Sequence, residues 1–317
     1  MRVLLASPWI PAEWVRAHGL ATGGIWFAEE FCLRPAPLSA GSCAFAENVG
    51  QFAEAQKVAV VFPTSCDQMR RVFDVVNYRG GAKVFLFNLP ATSTPAARQL
   101  YRAELERLSW FLRELGGVAP TPERLRAEMV ATERSRCALR AAAPEAEGRS
   151  LVQALARFWG DGGFLAPVPV LARAGLPLAV VGGPLSLADW PLFDVIEAAG
   201  GSVVLNATDA GERCLCPLPA GLTDPLAALA DGYFDHLTDV FQRPNARLYT
   251  WLRERVAARH VRGVVLWAFT GCDLWRAEWH TLRECFGLPV LLLETDDAAG
   301  LAPRDVGRLQ AFVETLK

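Results

Sequence analysis

Short, almost entirely apolar runs alternate with amphipathic helical segments in this sequence, and they do so in two separate halves. The runs are RVLLAS, KVAVVF and AKVFLFNLP in the first half, and LPLAVVGG, SVVLNA, RGVVLWAF and LPVLLLET in the second. GGIWFAE in the first half is predicted to form a further strand. Strands with so few polar residues are typical of parallel sheets that helices cover on both faces. The sequence therefore predicts an α/β fold with two Rossmann-like domains, each built on a parallel sheet.

Between the two halves, the apolar residues repeat with the 3.6-residue period of a helix. Thr121 is followed directly by Pro122, and a threonine cap with proline at the first helical position is a common helix start. We therefore predict a helical segment inserted between the two domains. The predicted organisation is a first domain at 1–92, the helical segment at 93–165 and a second domain at 166–317.

The composition and charge of the chain argue against several classes of partner. Hydrophobic residues make up 52% of the chain, which is enough for a large core, and the formal charge is only −2. A nearly neutral chain gives no reason to expect nucleic acid or an anionic membrane as a partner. We find no run of 18 apolar residues and no signal-peptide cleavage site after the first apolar segment, so we expect a cytoplasmic protein.

A short turn occurs twice, about two hundred residues apart, each time after an apolar run. FPTSCDQMR and AFTGCDLWR share four residue types at matching positions, which are Thr64 and Thr270, Cys66 and Cys272, Asp67 and Asp273, and Arg70 and Arg276. Ligands of parallel α/β units collect beyond the carboxyl ends of the strands. A cysteine at the helix start that follows such a strand faces unpaired amides, which favour the metal-binding thiolate. The aspartates are expected to cap the two helices.

A third cysteine, Cys43, lies in a similar setting, in the glycine- and serine-rich loop of PLSAGSCAFAENVG. If the two domains face each other, Cys43, Cys66 and Cys272 meet in one cleft. Three thiolates on a metal centre leave one coordination position without a protein ligand, as substrate chemistry on a metal requires. The spacing is also compatible with a zinc site made of these three cysteines and a histidine.

The sequence resembles one known family over nearly its whole length. The stretches that carry the resemblance are PAEWVRAHGL, PLSAGSCAFAENVG, VAVVFPTSCDQMRR, PLAVVGGPLSLADWPLFDVIEAAGGSVVLNATDAGERC and VRGVVLWAFTGCDLWRAEWHTLRECFGLPVLLLETDD. They are similar to the D-component-like iron–sulfur subunits of the 2-hydroxyacyl-CoA dehydratases, whose relatives include benzoyl-CoA reductases and double-cubane cluster proteins. The last stretch is the most specific of the five.

The resemblance implies a [4Fe–4S] cluster bound by three cysteines, which match Cys43, Cys66 and Cys272. It also implies an oxygen-sensitive lyase or reductase subunit that acts on an acyl-CoA substrate through one-electron, ketyl radical chemistry. Its implied partners are a homologous second subunit, or a second copy of the chain, and an ATP-hydrolysing activator protein that donates the electron.

Several alternatives remain open from the sequence. Cys214 and Cys216 in GERCLCP could be extra ligands, as in a double-cubane variant, or a redox-labile pair, or inert. Cys32, Cys137 and Cys285 are predicted to be core residues. A second functional hypothesis is a low-potential electron-transfer or cluster-scaffold protein without its own CoA substrate, and a third is a structural zinc protein.

Overall fold

Two parallel β-sheets with the same strand order form the framework of the molecule. The structure is a computed structural model that describes residues 1–32, 42–146, 148–161, 168, 175–219, 223–295 and 301–317. The first sheet consists of β1 (Arg2–Leu5), β2 (Ala21–Gly24), β3 (Ala59–Pro63) and β4 (Val84–Phe87). The second consists of β5 (Leu176–Gly182), β6 (Gly201–Ala207), β7 (Gly263–Phe269) and β8 (Val290–Thr295).

The order is β2-β1-β3-β4 in the first sheet and β6-β5-β7-β8 in the second, and every pairing among the described residues is parallel. Strands β3 and β7 therefore occupy the same place in their sheets, and all of their residues are buried. The predicted α/β fold with two Rossmann-like sheets is confirmed. The two repeated turns follow β3 and β7, and so they begin at the same edge of each sheet, where the carboxyl ends of the strands lie.

Eleven α-helices lie among the described residues and cover the sheets. They are α1 (Ala12–Ala17), α2 (Ala44–Gln56), α3 (Asp67–Arg79), α4 (Pro95–Glu114), α5 (Pro122–Ala142), α6 (Gly148–Asp161), α7 (Pro191–Ala198), α8 (Pro225–Asp235), α9 (Ala246–Ala258), α10 (Asp273–Phe286) and α11 (Pro303–Thr315). None of the helices in this part of the chain is both long enough and apolar enough to cross a membrane.

Three consecutive helices, α4 to α6, separate the two sheets in the chain, which confirms the inserted helical segment. Thr121 caps α5 as expected, because its side chain accepts a hydrogen bond from the Arg124 amide at 3.3 Å. Thr94 caps α4 in the same way. The predicted domain boundaries stay a prediction, and most residues around the second boundary, 162–167 and 169–174, lie outside the described residues.

One predicted strand is much shorter than the sequence indicated. GGIWFAE was expected to be extended, but β2 ends at Gly24 and a single 3₁₀ turn follows at Ile25–Phe27. The physical reason is the packing of Trp26, which is 1% exposed and contacts the ring of Trp159 on α6 at a centroid distance of 5.4 Å. A continued strand would carry this ring away from the helical segment.

Candidate metal centre

Three cysteines from both halves of the chain line one cavity of about 340 Å³. Cys43 is the N-cap residue of α2, Cys66 is that of α3, and Cys272 is that of α10. Three helix N-termini therefore meet at this cavity, and each brings the positive end of its dipole and unpaired backbone amides. This combination favours negative charge on the three sulfur atoms.

The two repeated turns have closely similar backbone hydrogen bonds. The Thr64 amide donates to the Phe87 carbonyl at 3.0 Å, and the Thr270 amide donates to the Thr295 carbonyl at 2.9 Å. Each bond ties the turn to the last strand of its sheet. Because β3 and β7 occupy the same place in their sheets, Cys66 and Cys272 lie at equivalent positions in the two halves.

Cysteines, and not aspartates, occupy the N-cap positions of the two helices, and of the two only Cys66 makes a side-chain cap hydrogen bond. The Sγ atom of Cys66 accepts a hydrogen bond from the Met69 amide at 3.5 Å. Asp67 follows it as the first helical residue and forms an exposed ion pair with Arg70 at 3.4 Å. The expectation that Asp67 and Asp273 cap these helices is therefore wrong, since the N-cap position falls one residue earlier in each helix.

Gly271 brings Cys43 next to the second repeated turn. Its φ of +82° lies in the left-handed region, and a Cβ atom added to it would lie 3.3 Å from the Cα atom of Cys43. The glycine therefore allows the backbone before α2 to approach the backbone before α10. This close approach joins Cys43, from the first half of the chain, to Cys272.

The Gly271→Ala variant is expected to unfold at lower urea concentration and to expose the Cys43 thiol. Alanine is strained at a positive φ and its methyl group would press on Cys43, which together should cost about 1–3 kcal/mol. Gly287→Ala is the matched control, because Gly287 has a φ of +61° but nothing within 4 Å of an added Cβ. Urea unfolding measures the loss of stability, and the rate of Cys43 alkylation measures the exposure of the thiol. If the two variants have equal urea midpoints and equal alkylation rates, the close contact between Gly271 and Cys43 is contradicted.

Burial disfavours the thiolate form of all three cysteines. It raises the pKa of Cys43 to about 11, while the amides of Ala46 and Phe45 oppose this rise. Burial also raises the pKa of Cys66 and of Cys272, and in Cys272 the neighbouring Cys43 raises it further. The amides at the helix starts favour the thiolates, as expected, but the loss of hydration outweighs them.

The described residues contain no set of three or more His, Cys, Asp or Glu side chains close enough to hold one metal ion. Thiolates that share a zinc ion have sulfur atoms about 3.8 Å apart, because each Zn–S bond is about 2.3 Å. In an iron–sulfur cluster each cysteine binds a different iron atom, so the sulfur atoms lie farther apart. The described residues therefore give no support to the zinc alternative.

Two aspartates form another wall of the same cavity, and a buried arginine pairs with both of them. Asp209 and Asp239 both line it, and Arg213 forms an ion pair with each of them. The indole N–H of Trp9, after β1, donates to Asp239 at 2.8 Å. The Arg213 side chain is fully buried, and it also donates to the Gly182 carbonyl at 3.0 Å. These bonds connect the first half of the chain to the second.

Asp209, in this wall, has a pKa above the ordinary value of a carboxyl. Burial and the charge of Asp239 raise its pKa to about 7, although Arg213 acts in the opposite direction. Asp209 is not among the site residues predicted from the sequence. The signal was present, since Asp209 lies two residues after the end of β6 and ligands of parallel α/β units collect beyond the carboxyl ends of the strands.

The other cysteines lie elsewhere. Cys214 and Cys216 are buried and are not among the residues that line the cavity, and Cys214 Sγ lies 2.7 Å from the Gly211 carbonyl. A second cluster on this pair stays a prediction. Cys137 is exposed on α5, so its prediction as a core residue is wrong, because its side of the helix faces solvent. Cys285 is partly buried, and the side chain of Cys32 lies outside the described residues.

Comparison with known families gives one extensive match. The model of the family described as 2-hydroxyglutaryl-CoA dehydratase, D-component, matches residues 9–152 and 170–316. These ranges include all three cavity cysteines and most of both sheets. A search of curated proteins gave no significant match.

Proposed function

Because the chain belongs to the 2-hydroxyglutaryl-CoA dehydratase D-component family, we propose that it is the [4Fe–4S] subunit of a 2-hydroxyacyl-CoA dehydratase or of a related CoA-thioester reductase. The family is described as a component of a dehydratase. Membership in this family therefore implies an enzyme-related role and a partner subunit for the chain. The finer proposal is carried by one observation: Cys43, Cys66 and Cys272 are helix N-cap residues that line the same cavity.

The donor set fits an iron–sulfur cluster. Thiolates are the usual ligands of such clusters, and here the Met69 amide already donates to the sulfur of Cys66. Burial raises the thiol pKa values, so binding of a cationic centre must displace the three protons, as metal binding at cysteine sites generally does. When bound, the cluster would supply a single low-potential electron to the CoA thioester, which is the start of ketyl radical chemistry.

The remaining cavity groups have roles that follow from their positions. Asp209 can hold or release a proton near neutral pH, on a carboxyl that faces the same cavity as the cysteines. Arg213 fixes the orientation of this carboxyl and of Asp239 through its ion pairs. The proposed partners are a homologous subunit or a second copy of the chain, and an ATP-hydrolysing activator protein in the cytoplasm.

Anaerobic reconstitution of the isolated chain with iron and sulfide tests the proposal. We expect a brown protein with about four irons and about four sulfides per chain, as a single cubane requires. Chemical iron and sulfide analysis and the visible absorption spectrum measure this. A chain that binds zinc in preference, or that stays colourless after reconstitution, would overturn the proposal.

The cavity volume favours one second candidate, a low-potential electron-transfer subunit without its own CoA substrate. At about 340 Å³, the cavity is near the lower end of ligand pockets, which range from about 300 to 1,000 Å³. A cluster would occupy much of this space and leave little for a substrate. Addition of acyl-CoA esters to the reduced, reconstituted chain separates the two roles, because a bound substrate shifts the EPR spectrum of the cluster and a pure electron carrier leaves it unchanged.

A further inference from the structure

A second cavity, of about 580 Å³, lies between α9, the end of α5 and the segment 215–217. Arginines dominate the charged groups that line it. They are Arg140, Arg213, Arg247, Arg255 and Arg259, against the carboxylates of Glu212, Asp235 and Glu254. This excess of positive charge is notable in a chain whose net charge is −2.

The carboxylates of this cavity do not neutralise all of its arginines. Arg259 takes both oxygens of Glu212, at 2.7 and 2.6 Å. Asp235 forms an ion pair with Arg98, which is outside the cavity. Arg213, which lines this cavity, is already paired with Asp209 and Asp239, which line the cysteine cavity.

Two arginines on one face of α9 are left without a close carboxylate. The Nη1 atom of Arg247 donates to the Phe234 carbonyl at 3.0 Å, and no acidic partner appears among the described residues. Arg255 donates to the Trp251 carbonyl at 3.2 Å, and its ion pair with Glu254 is long, at 3.7 Å, with the Glu254 side chain 68% exposed. Each guanidinium therefore keeps free N–H donors.

The surroundings of Arg255 make its charge costly in the absence of a ligand. Burial lowers the pKa of Arg255, and the charge of Arg259 lowers it further, although Glu212 acts in the opposite direction. The Arg255 guanidinium also lies over the Trp251 ring at 4.0 Å, which holds it in place. An anion bound here would relieve the repulsion between the two arginines.

We propose that this cavity binds a ligand with more than one phosphate group, of the nucleotide diphosphate type, between Arg247 and Arg255. The two residues are two turns apart on α9, about 12 Å along the helix axis, so they can contact separate phosphates of one ligand. Guanidinium groups bind phosphate oxygens through paired N–H donors. The cavity volume is adequate for a ligand of this size.

Two sources can supply this chemistry, namely a free nucleotide and the nucleotide part of a CoA thioester. The binding itself does not depend on the cluster, and only the assignment to CoA rests on the proposed function. Titration of the cluster-free full chain with pyrophosphate, with ADP and with CoA therefore tests the site separately. Binding of CoA alone would identify the thioester substrate as the source, whereas binding of all three would identify the diphosphate itself.

The Arg247→Gln and Arg255→Gln variants are expected to bind each of these ligands about tenfold more weakly, because each loses one charged contact worth roughly 1.4 kcal/mol. Glutamine keeps much of the apolar stem, so the packing on Phe234 and Trp251 should persist. Arg253→Gln is the matched control on the same helix, since Arg253 is exposed and bonds to Cys285 outside the cavity.

Isothermal titration calorimetry measures the affinities, and circular dichroism checks that each variant is folded. Weaker binding in the two cavity variants but not in the control supports the site. The proposal is overturned if none of the three ligands binds at millimolar concentration, or if Arg247→Gln and Arg255→Gln bind as tightly as the wild-type chain.

Discussion

The Cys272→Ala variant is expected to lose the iron–sulfur cluster almost completely. Cys272 lies at the start of α10, in the same cavity as Cys43 and Cys66, and Gly271 holds it close to Cys43. Loss of only a supporting hydrogen bond commonly lowers metal affinity 10–100-fold, so loss of a ligand should lower it by more than about 100-fold. Iron and sulfide content after anaerobic reconstitution, together with the visible spectrum, measures the loss.

Cys285→Ala provides the control for this variant. Cys285 lies on the same helix, 13 residues after Cys272, and its sulfur accepts a hydrogen bond from Arg253 at 3.0 Å. It is not among the residues that line the cysteine cavity, so its replacement should leave the iron content unchanged. A Cys272→Ala chain that still binds a full cluster would contradict the assignment, as would equal loss of iron from both variants.

The sheets could be predicted because their sequences leave few alternatives. The residues of β3 and β7 are buried on both faces, and a strand in that setting has to be almost wholly apolar. The same reasoning failed after Gly24, where Ile25 and Trp26 are equally apolar but pack as a 3₁₀ turn against α6. Burial explains why both stretches are apolar. Whether a buried apolar stretch forms a strand or a 3₁₀ turn depends on what its side chains pack against.

The candidate site could be predicted only in part from the sequence. The repeated turn indicated that Cys66 and Cys272 are equivalent, and the identical order of the two sheets explains why. Asp239 could not be found in this way, because it lies between α8 and α9 and follows no strand. It reaches the cavity wall through its contacts with Arg213 and Trp9, which are 26 and 230 residues away in the chain.

A buried ion pair also joins distant parts of the chain, with no local sign of it in the sequence. Arg136 on α5 donates to Glu13 on α1, and their side chains are 2% and 0% exposed. Tyr233 on α8 donates to the same carboxylate at 2.8 Å and accepts a bond from Arg136. Three helices that cover the first half of the molecule thus share one network of charged and polar groups.

The Glu13→Gln variant is expected to be less stable by about 3–5 kcal/mol, because removal of one partner leaves the other charge buried and unpaired. Urea unfolding followed by circular dichroism measures this change. Glu54→Gln is the matched control, since Glu54 pairs with Arg79 at 3.1 Å in a partly exposed position, where a pair contributes at most about 1 kcal/mol. Equal losses of unfolding free energy in the two variants would show that the buried ion pair stabilises the fold no more than the exposed one.

The difference between the wild-type chain and Glu13→Gln should also depend on pH in a defined direction. Burial alone would raise the pKa of Glu13, but the charges of Arg136 and Arg16 outweigh it, so the pKa lies below the ordinary value of 4.5. A carboxyl with a lowered pKa stabilises the folded state above its unfolded pKa, and this contribution disappears as the pH falls through the folded value. The urea midpoints of the two proteins should therefore differ most near neutral pH and converge only below the ordinary pKa of the carboxyl. A difference that stays constant into that acidic range would mean that ionised Glu13 does not stabilise the fold, and that the variant weakens it only through packing.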